Sequence, residues 1–117
     1  MGSVLDQTTV PRLRCKAIVG AANNQLASVE DAERIADRDI LYAPDFVVNA
    51  GGVIYLDVAA RHAASREQIM ARVAAIGDTL RRVFDEAEAR GVTPLEAAEA
   101  LAAARLNAAR AGADARV

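Results

Sequence analysis

The sequence predicts an α/β fold, a strand–helix–strand unit followed by two long helices. Two short apolar runs, residues 15–20 and 40–43, bracket a segment of helical periodicity, and two capping signatures introduce longer helical patterns in the second half. The change from mixed to helical character falls near Gly51-Gly52.

Asp6 and Thr8-Thr9 precede Val10-Pro11-Arg12-Leu13-Arg14, which reads as one or two helical turns with Pro11 tolerated at the start. Cys15-Lys16-Ala17-Ile18-Val19-Gly20 reads as a short strand of the kind buried in a parallel sheet, with Cys15 packed beside it. It ends in Ala21-Ala22-Asn23-Asn24, which is loop chemistry. Ser28, with Asp31 three residues on, opens a helix carrying Val29, Ala32, Ile35 and Ala36 on one face. Ile40-Leu41-Tyr42-Ala43 is the second strand, stopped by Pro44-Asp45, and two strands so joined should be parallel. Phe46-Val47-Val48-Asn49-Ala50 then runs into the paired glycines.

The second half opens on the capping box Ser65-Arg66-Glu67-Gln68. Ile69, Val73, Ile76, Leu80, Val83 and Ala87 follow at spacings of three and four until Gly91 stops the helix. Thr93-Pro94-Leu95-Glu96 is a second capping box with Pro at the first helical position. Leu95, Ala98, Leu101 and Ala102 carry its apolar face as far as Ala111-Gly112.

With 53% hydrophobic and 26% charged residues the 117-residue chain belongs to the soluble globular class. Alanine supplies much of the apolar share and only four residues are aromatic, two Phe and two Tyr, so the core is expected to be thin. The net charge of -2 comes from interspersed acids and bases, with no basic stripe for nucleic acid or an anionic membrane. Cys15 is the only cysteine, no apolar run is long enough to span a membrane, and no signal-peptide pattern opens the chain. A cytoplasmic location is expected.

Two segments are candidates for ligand contact. Gly20-Ala21-Ala22-Asn23-Asn24-Gln25-Leu26 lies at the carboxyl end of the first expected strand, where open α/β sheets bind ligands. Its small residues admit a ligand to the backbone, and its carboxamides offer donors and acceptors without charge. The same residues equally suit a capped strand-to-helix turn. Pro44-Asp45-Phe46-Val47-Val48-Asn49-Ala50-Gly51-Gly52-Val53 is either a second contact segment or a tight turn into the next helix. His62 has no second ligand at metal spacing, and Cys15 has no partner His for nucleophilic chemistry. Arg81-Arg82 with Asp85, Glu86 and Glu88 fit the wet face of the long helix. Neither Gly-x-Gly-x-x-Gly nor a Ser-centred hydrolase elbow occurs.

Taken together, in this order and spacing, Gly20-Ala21-Ala22-Asn23-Asn24-Gln25-Leu26 and Leu41-Tyr42-Ala43-Pro44-Asp45-Phe46-Val47-Val48-Asn49-Ala50-Gly51-Gly52-Val53-Ile54 resemble two signatures of the glutamate/leucine/phenylalanine/valine dehydrogenase superfamily. No Gly-Pro-Thr run follows the first Asn, which makes the sequence similar to the leucine/valine/phenylalanine branch. The resemblance implies an NAD-dependent amino-acid dehydrogenase, passing hydride from the α-carbon of an apolar L-amino acid to nicotinamide and giving the 2-oxo acid. It implies that residues 1–54 are the C-terminal part of a dinucleotide-binding domain, a partial Rossmann-type parallel sheet, and that residues 55–117 are a C-terminal helical segment.

The resemblance also implies which residues meet which ligand. Ala21, Ala22 and Asn23 match positions at the nicotinamide end of the cofactor, and Met1 and Gly2 match backbone positions beside it. Asn23, Val53 and Leu56 match positions near the substrate, with Leu56 favouring a compact aliphatic side chain. The sequence departs from relatives at Tyr55-Leu56-Asp57-Val58, where many carry an Ala-Asp-Glu-Leu run. The family's glycine fingerprint, ribose-binding acid and N-terminal substrate domain, with its catalytic lysines and aspartate, find no counterpart here. Lys16, which precedes a cofactor-domain strand, does not replace them. The expectation is a C-terminal portion inactive by itself, with a complementing N-terminal half or a second copy as possible protein partners. The alternative class is a non-enzymatic helical interaction module.

Overall fold

The structure, a computed structural model, describes residues 2–51 and 65–114. A 3-10 turn, Val10–Arg12, is followed by strand β1 (Ala17–Ile18), helix α1 (Glu30–Ala36), strand β2 (Leu41–Tyr42) and the short helix α2 (Asp45–Val48). Two long helices, α3 (Arg66–Arg90) and α4 (Pro94–Asp114), make up the second half. β1 and β2 pair in parallel, with Ala17 opposite Leu41 and Ile18 opposite Tyr42. The β–α–β unit expected from the apolar runs is thus present, with strands cut to two residues each.

Alternation along those strands decides what is buried. Ile18 and Tyr42 turn inward to the first core, where Leu5, Val10, Ile35 and Ile40 meet them. Ala17, Val19 and Leu41 turn outward and stay exposed, Val19 at 65%. The expectation of a strand buried on both faces is therefore corrected. Among the described residues, helix α1 covers one face of the sheet and no element covers the other. Cys15 is corrected with it, being exposed rather than packed beside the strand.

Local hydrogen bonds explain where each element starts. Ser28 does not cap α1 through its own hydroxyl. Asp31, buried at 1% exposure, instead accepts from the Ser28 N–H and Oγ, both at 3.0 Å, and from Arg34 Nη1 at 2.5 Å. Arg38 closes the other end of this half, donating to the carbonyls of Val10 and Leu13 and so tying α1 to the 3-10 turn. Both expected capping boxes in the second half form. Ser65 and Gln68 exchange bonds at 3.0 and 3.2 Å, as do Thr93 and Glu96. Gly91 takes the left-handed conformation (φ 63°) that ends α3, a geometry glycine adopts without steric cost.

A second core joins the long helices. Val83 and Ala87 of α3 pack on Ala97 and Ala98 of α4, with Val47 of α2, Phe84 and Leu101 against them. Alanines let the two helix backbones approach closely but bury little apolar area each. The amino-terminal part of α3 is less covered, Ile69, Val73, Ile76 and Leu80 being only half-buried. Helix α4 continues through Gly112 to Asp114, slightly beyond the stop expected at Ala111-Gly112.

The Asp6 turn carries a pH-dependent element. Its Oδ1 accepts from the Thr8 hydroxyl at 2.7 Å and from the Thr8 and Thr9 N–H groups, both at 2.8 Å. These bonds, the Thr8 hydroxyl foremost, lower the carboxyl to about 2. A depressed folded pKa means the turn's contribution is complete above the unfolded value and fades as pH falls from about 4 through 2. Titrating the Asp6 carboxylate by carbon NMR should give that low midpoint, and Asp6→Asn should remove this share of the acid sensitivity. A midpoint near 4 would contradict the assignment.

Candidate functional site

The site is built where β1 and β2 end on the same side. From β1 the chain passes through Val19 and Gly20 into an exposed loop, Ala21-Ala22-Asn23-Asn24, and then into the buried Gln25. From β2 it passes through the buried Ala43 and Pro44 into α2, which opens on Asp45. Parallel pairing of the strands places both exits together, the arrangement in which α/β sheets hold ligands.

Four hydrogen bonds bind the two exits to each other and shape the loop. Gln25 donates from Nε2 to the carbonyls of Gly20 and Ala22, both at 2.9 Å, closing the loop from inside. The Gln25 N–H donates to Asp45 Oδ2 at 2.9 Å, tying the loop to the start of α2. Asn49, at the end of α2, donates from Nδ2 to Asn23 Oδ1. Gly20 suits this packing, since a Cβ there would lie 3.0 Å from Gln25 Nε2 and would push the carboxamide back by a few tenths of an ångström. Asn24 takes a left-handed φ of 54°, which its short carboxamide tolerates better than most side chains.

The segment before the 3-10 turn completes the frame. Ser3 N–H donates to the Asn24 carbonyl at 2.6 Å, and Leu5 forms a parallel bridge to Leu26. Gly2 therefore lies against the loop, where a Cβ would meet the Asn24 carbonyl at 3.3 Å. Nearby, burial pushes the Tyr42 hydroxyl up to about 12, helped by the charge of Asp45. Tyr42 stays a neutral phenol at physiological pH.

Of the residues expected at a site, Ala21, Ala22, Asn23 and Gly2 are brought together. Met1, Val53 and Leu56 lie outside the described residues. Asp45 and Gln25, which fix the loop, were not singled out from sequence. Their signal was present, Gln25 as the last of three carboxamides before Leu26 and Asp45 as an acid directly after a strand-ending proline, but neither pattern distinguishes a frame from an ordinary turn.

The loop suits an uncharged, flat ligand. Ala21 and Ala22 extend no further than Cβ, and the polar groups beside them are the carboxamides of Asn23 and Asn49. A nicotinamide ring, planar and carrying its own carboxamide, fits that surface. A hollow of about 280 Å³ adjoins it, lined in part by Asn24, Ser28, Tyr42 and Asp45. The larger of these two clefts, about 530 Å³, lies between α2, α3 and α4, lined mostly by apolar residues such as Phe46, Ile76 and Leu101, with Arg82 and Arg105 beside them. Among the described residues no cluster of three metal-ligating side chains occurs, and no helix is long and apolar enough to cross a membrane.

Comparison with known proteins decides the family. A family model described as Glutamate/Leucine/Phenylalanine/Valine dehydrogenase matches residues 2–113. The chain belongs to this family. It is 44% identical over 111 residues to a valine dehydrogenase of Streptomyces albus, covering 95% of this chain and 30% of that one. It is 36% identical over 107 residues to a phenylalanine dehydrogenase of Bacillus thermotolerans, covering 92% of this chain and 28% of that one. The crystal structure of L-tryptophan dehydrogenase from Nostoc punctiforme superposes with a TM-score of 0.85 at 38% identity, covering 93% of this chain and 33% of that chain. The chain thus spans about 30% of the length of the curated relatives it matches.

Proposed function

We propose that this chain supplies the nicotinamide end of the active site of an NAD-dependent amino-acid dehydrogenase of the valine/leucine type. The observation that carries this reading is the loop of Ala21, Ala22 and Asn23, held from behind by Gln25 and from the side by Asn49. Ala21 and Ala22 hold the face of the nicotinamide ring by contact, while Asn23 reaches both the ring's edge and the substrate. Gly2, with Met1, borders the cofactor, and Val53 and Leu56 border the substrate side chain, favouring a compact aliphatic amino acid. When bound, the nicotinamide supplies the hydride acceptor. The protein's part here is to orient it with small and carboxamide side chains, residues 20–25 themselves carrying no ionisable group.

In this reading residues 1–54 belong to the dinucleotide-binding domain and residues 55–117 form the helical segment that follows. The exposed apolar residues Phe46, Met70 and Leu106 then pack on a complementing part of the enzyme or on a second copy. A cytoplasmic location accommodates both the cofactor and a lone reduced cysteine.

The experiment is a graft. Residues 2–113 replace the matching segment of the Streptomyces albus valine dehydrogenase, and NADH formation is followed with valine and leucine. NAD-dependent turnover within about tenfold of the parent is the expected result. A folded graft that binds amino acid but forms no NADH would contradict the proposal.

A further inference from the structure

The inside of the loop holds a feature that the family reading does not use. Gln25 is only 8% exposed, and its one side-chain nitrogen donates to two carbonyls of the same loop, those of Gly20 and Ala22. Each of these carbonyls belongs to a planar trans peptide, the second member of which is the N–H of the next residue. In a trans peptide the C=O and N–H point in opposite directions. Drawing the Gly20 and Ala22 carbonyls inward to Gln25 therefore turns the N–H groups of Ala21 and Asn23 outward. Among the described residues neither N–H donates to a protein acceptor. The loop thus presents two backbone donors, two residues apart, on the face away from Gln25.

We propose that Gln25 is a positioning residue that sets these two peptide planes, so that the Ala21 and Asn23 N–H groups donate to an oxygen acceptor at the nicotinamide end of the cofactor, its carboxamide oxygen. This rests on the function proposed above and adds to it the device that orients the donors. A carboxamide is the side chain that does this without charge. Its NH2 supplies two donors on one atom, while Glu at the same length accepts only and Met offers neither. Glycine at position 20 belongs to the same device, because any Cβ there would press on Gln25 Nε2 at 3.0 Å. Asp45 holds the backbone of Gln25 itself, through the N–H to Oδ2 bond at 2.9 Å.

The first test uses the 117-residue chain and amide hydrogen exchange by NMR. The Gln25 side-chain N–H protons should exchange slowly, while the Ala21 and Asn23 amides exchange like those of an open loop. Protection at Ala21 or Asn23 would overturn the assignment of the planes. The second test uses the grafted dehydrogenase with Gln25→Glu and, should the buried charge unfold it, Gln25→Met. NADH should bind about tenfold or more weakly in either variant, while ADP-ribose, which lacks the nicotinamide, keeps its affinity within about twofold. Equal losses for both ligands, or no loss for NADH, would overturn the inference. A graft retaining Gln25 that binds ADP-ribose but gains nothing from the nicotinamide would instead contradict the proposed function.

Discussion

Ile35→Ala should destabilise the α/β half by about 2–5 kcal/mol, the range measured for truncating a large aliphatic side chain in a closed core. Ile35 is fully buried and packs with Leu5, Val10, Ile40 and Tyr42, the side chains that hold the sheet, α1 and the 3-10 turn together. The cost should lie toward the upper end if the cavity stays open. Alternation leaves the outer face of the two-stranded sheet uncovered, so few neighbouring apolar groups can move in to refill the space. Chemical denaturation followed by circular dichroism should show a lower midpoint for this half with an unchanged slope. The site would suffer with it, because Tyr42 leads through Pro44 to Asp45, the anchor of Gln25. A midpoint unmoved by Ile35→Ala would mean that the described core does not hold the fold.

How far this architecture could be read from the sequence varies element by element. The two long helices were legible to the residue at their starts, because Ser65/Gln68 and Thr93/Glu96 are reciprocal bonds encoded at a fixed spacing. Gly91 was legible for a similar reason, being the residue for which a left-handed C-terminus is easiest. The parallel pairing followed from strand, helix and strand in close succession. Burial of the strands did not follow. An apolar run says that a strand can be covered on both faces, not that its neighbours supply both covers, and Val19 and Leu41 lie exposed.

The candidate site was legible as a location and not as a mechanism of assembly. Ala21, Ala22 and Asn23 stood out because small residues and carboxamides gathered at a strand's carboxyl end. The roles of Asp45 and Asn49 depend on contacts 20 and 26 residues apart in sequence, which local pattern does not encode. Only the fold brings the end of α2 against the loop after β1.

In the proposed function this chain holds one end of a cofactor site and not the whole of it. The loop after β1 meets the nicotinamide in that reading, whereas binding a dinucleotide also needs a glycine-rich turn for the pyrophosphate and an acid for the ribose, and the sequence contains no Gly-x-Gly-x-x-Gly. Losing those contacts should move the affinity from micromolar to beyond about 1 mM, a difference of roughly 4 kcal/mol. The measurement is an NADH fluorescence titration of the 117-residue chain beside the grafted dehydrogenase. The account predicts saturation in the micromolar range for the graft and no saturable binding below about 1 mM for the chain alone. Tight binding by the isolated chain would contradict it, for this half would then rebuild a complete nucleotide site. A folded graft that fails to bind NADH would contradict it from the other side.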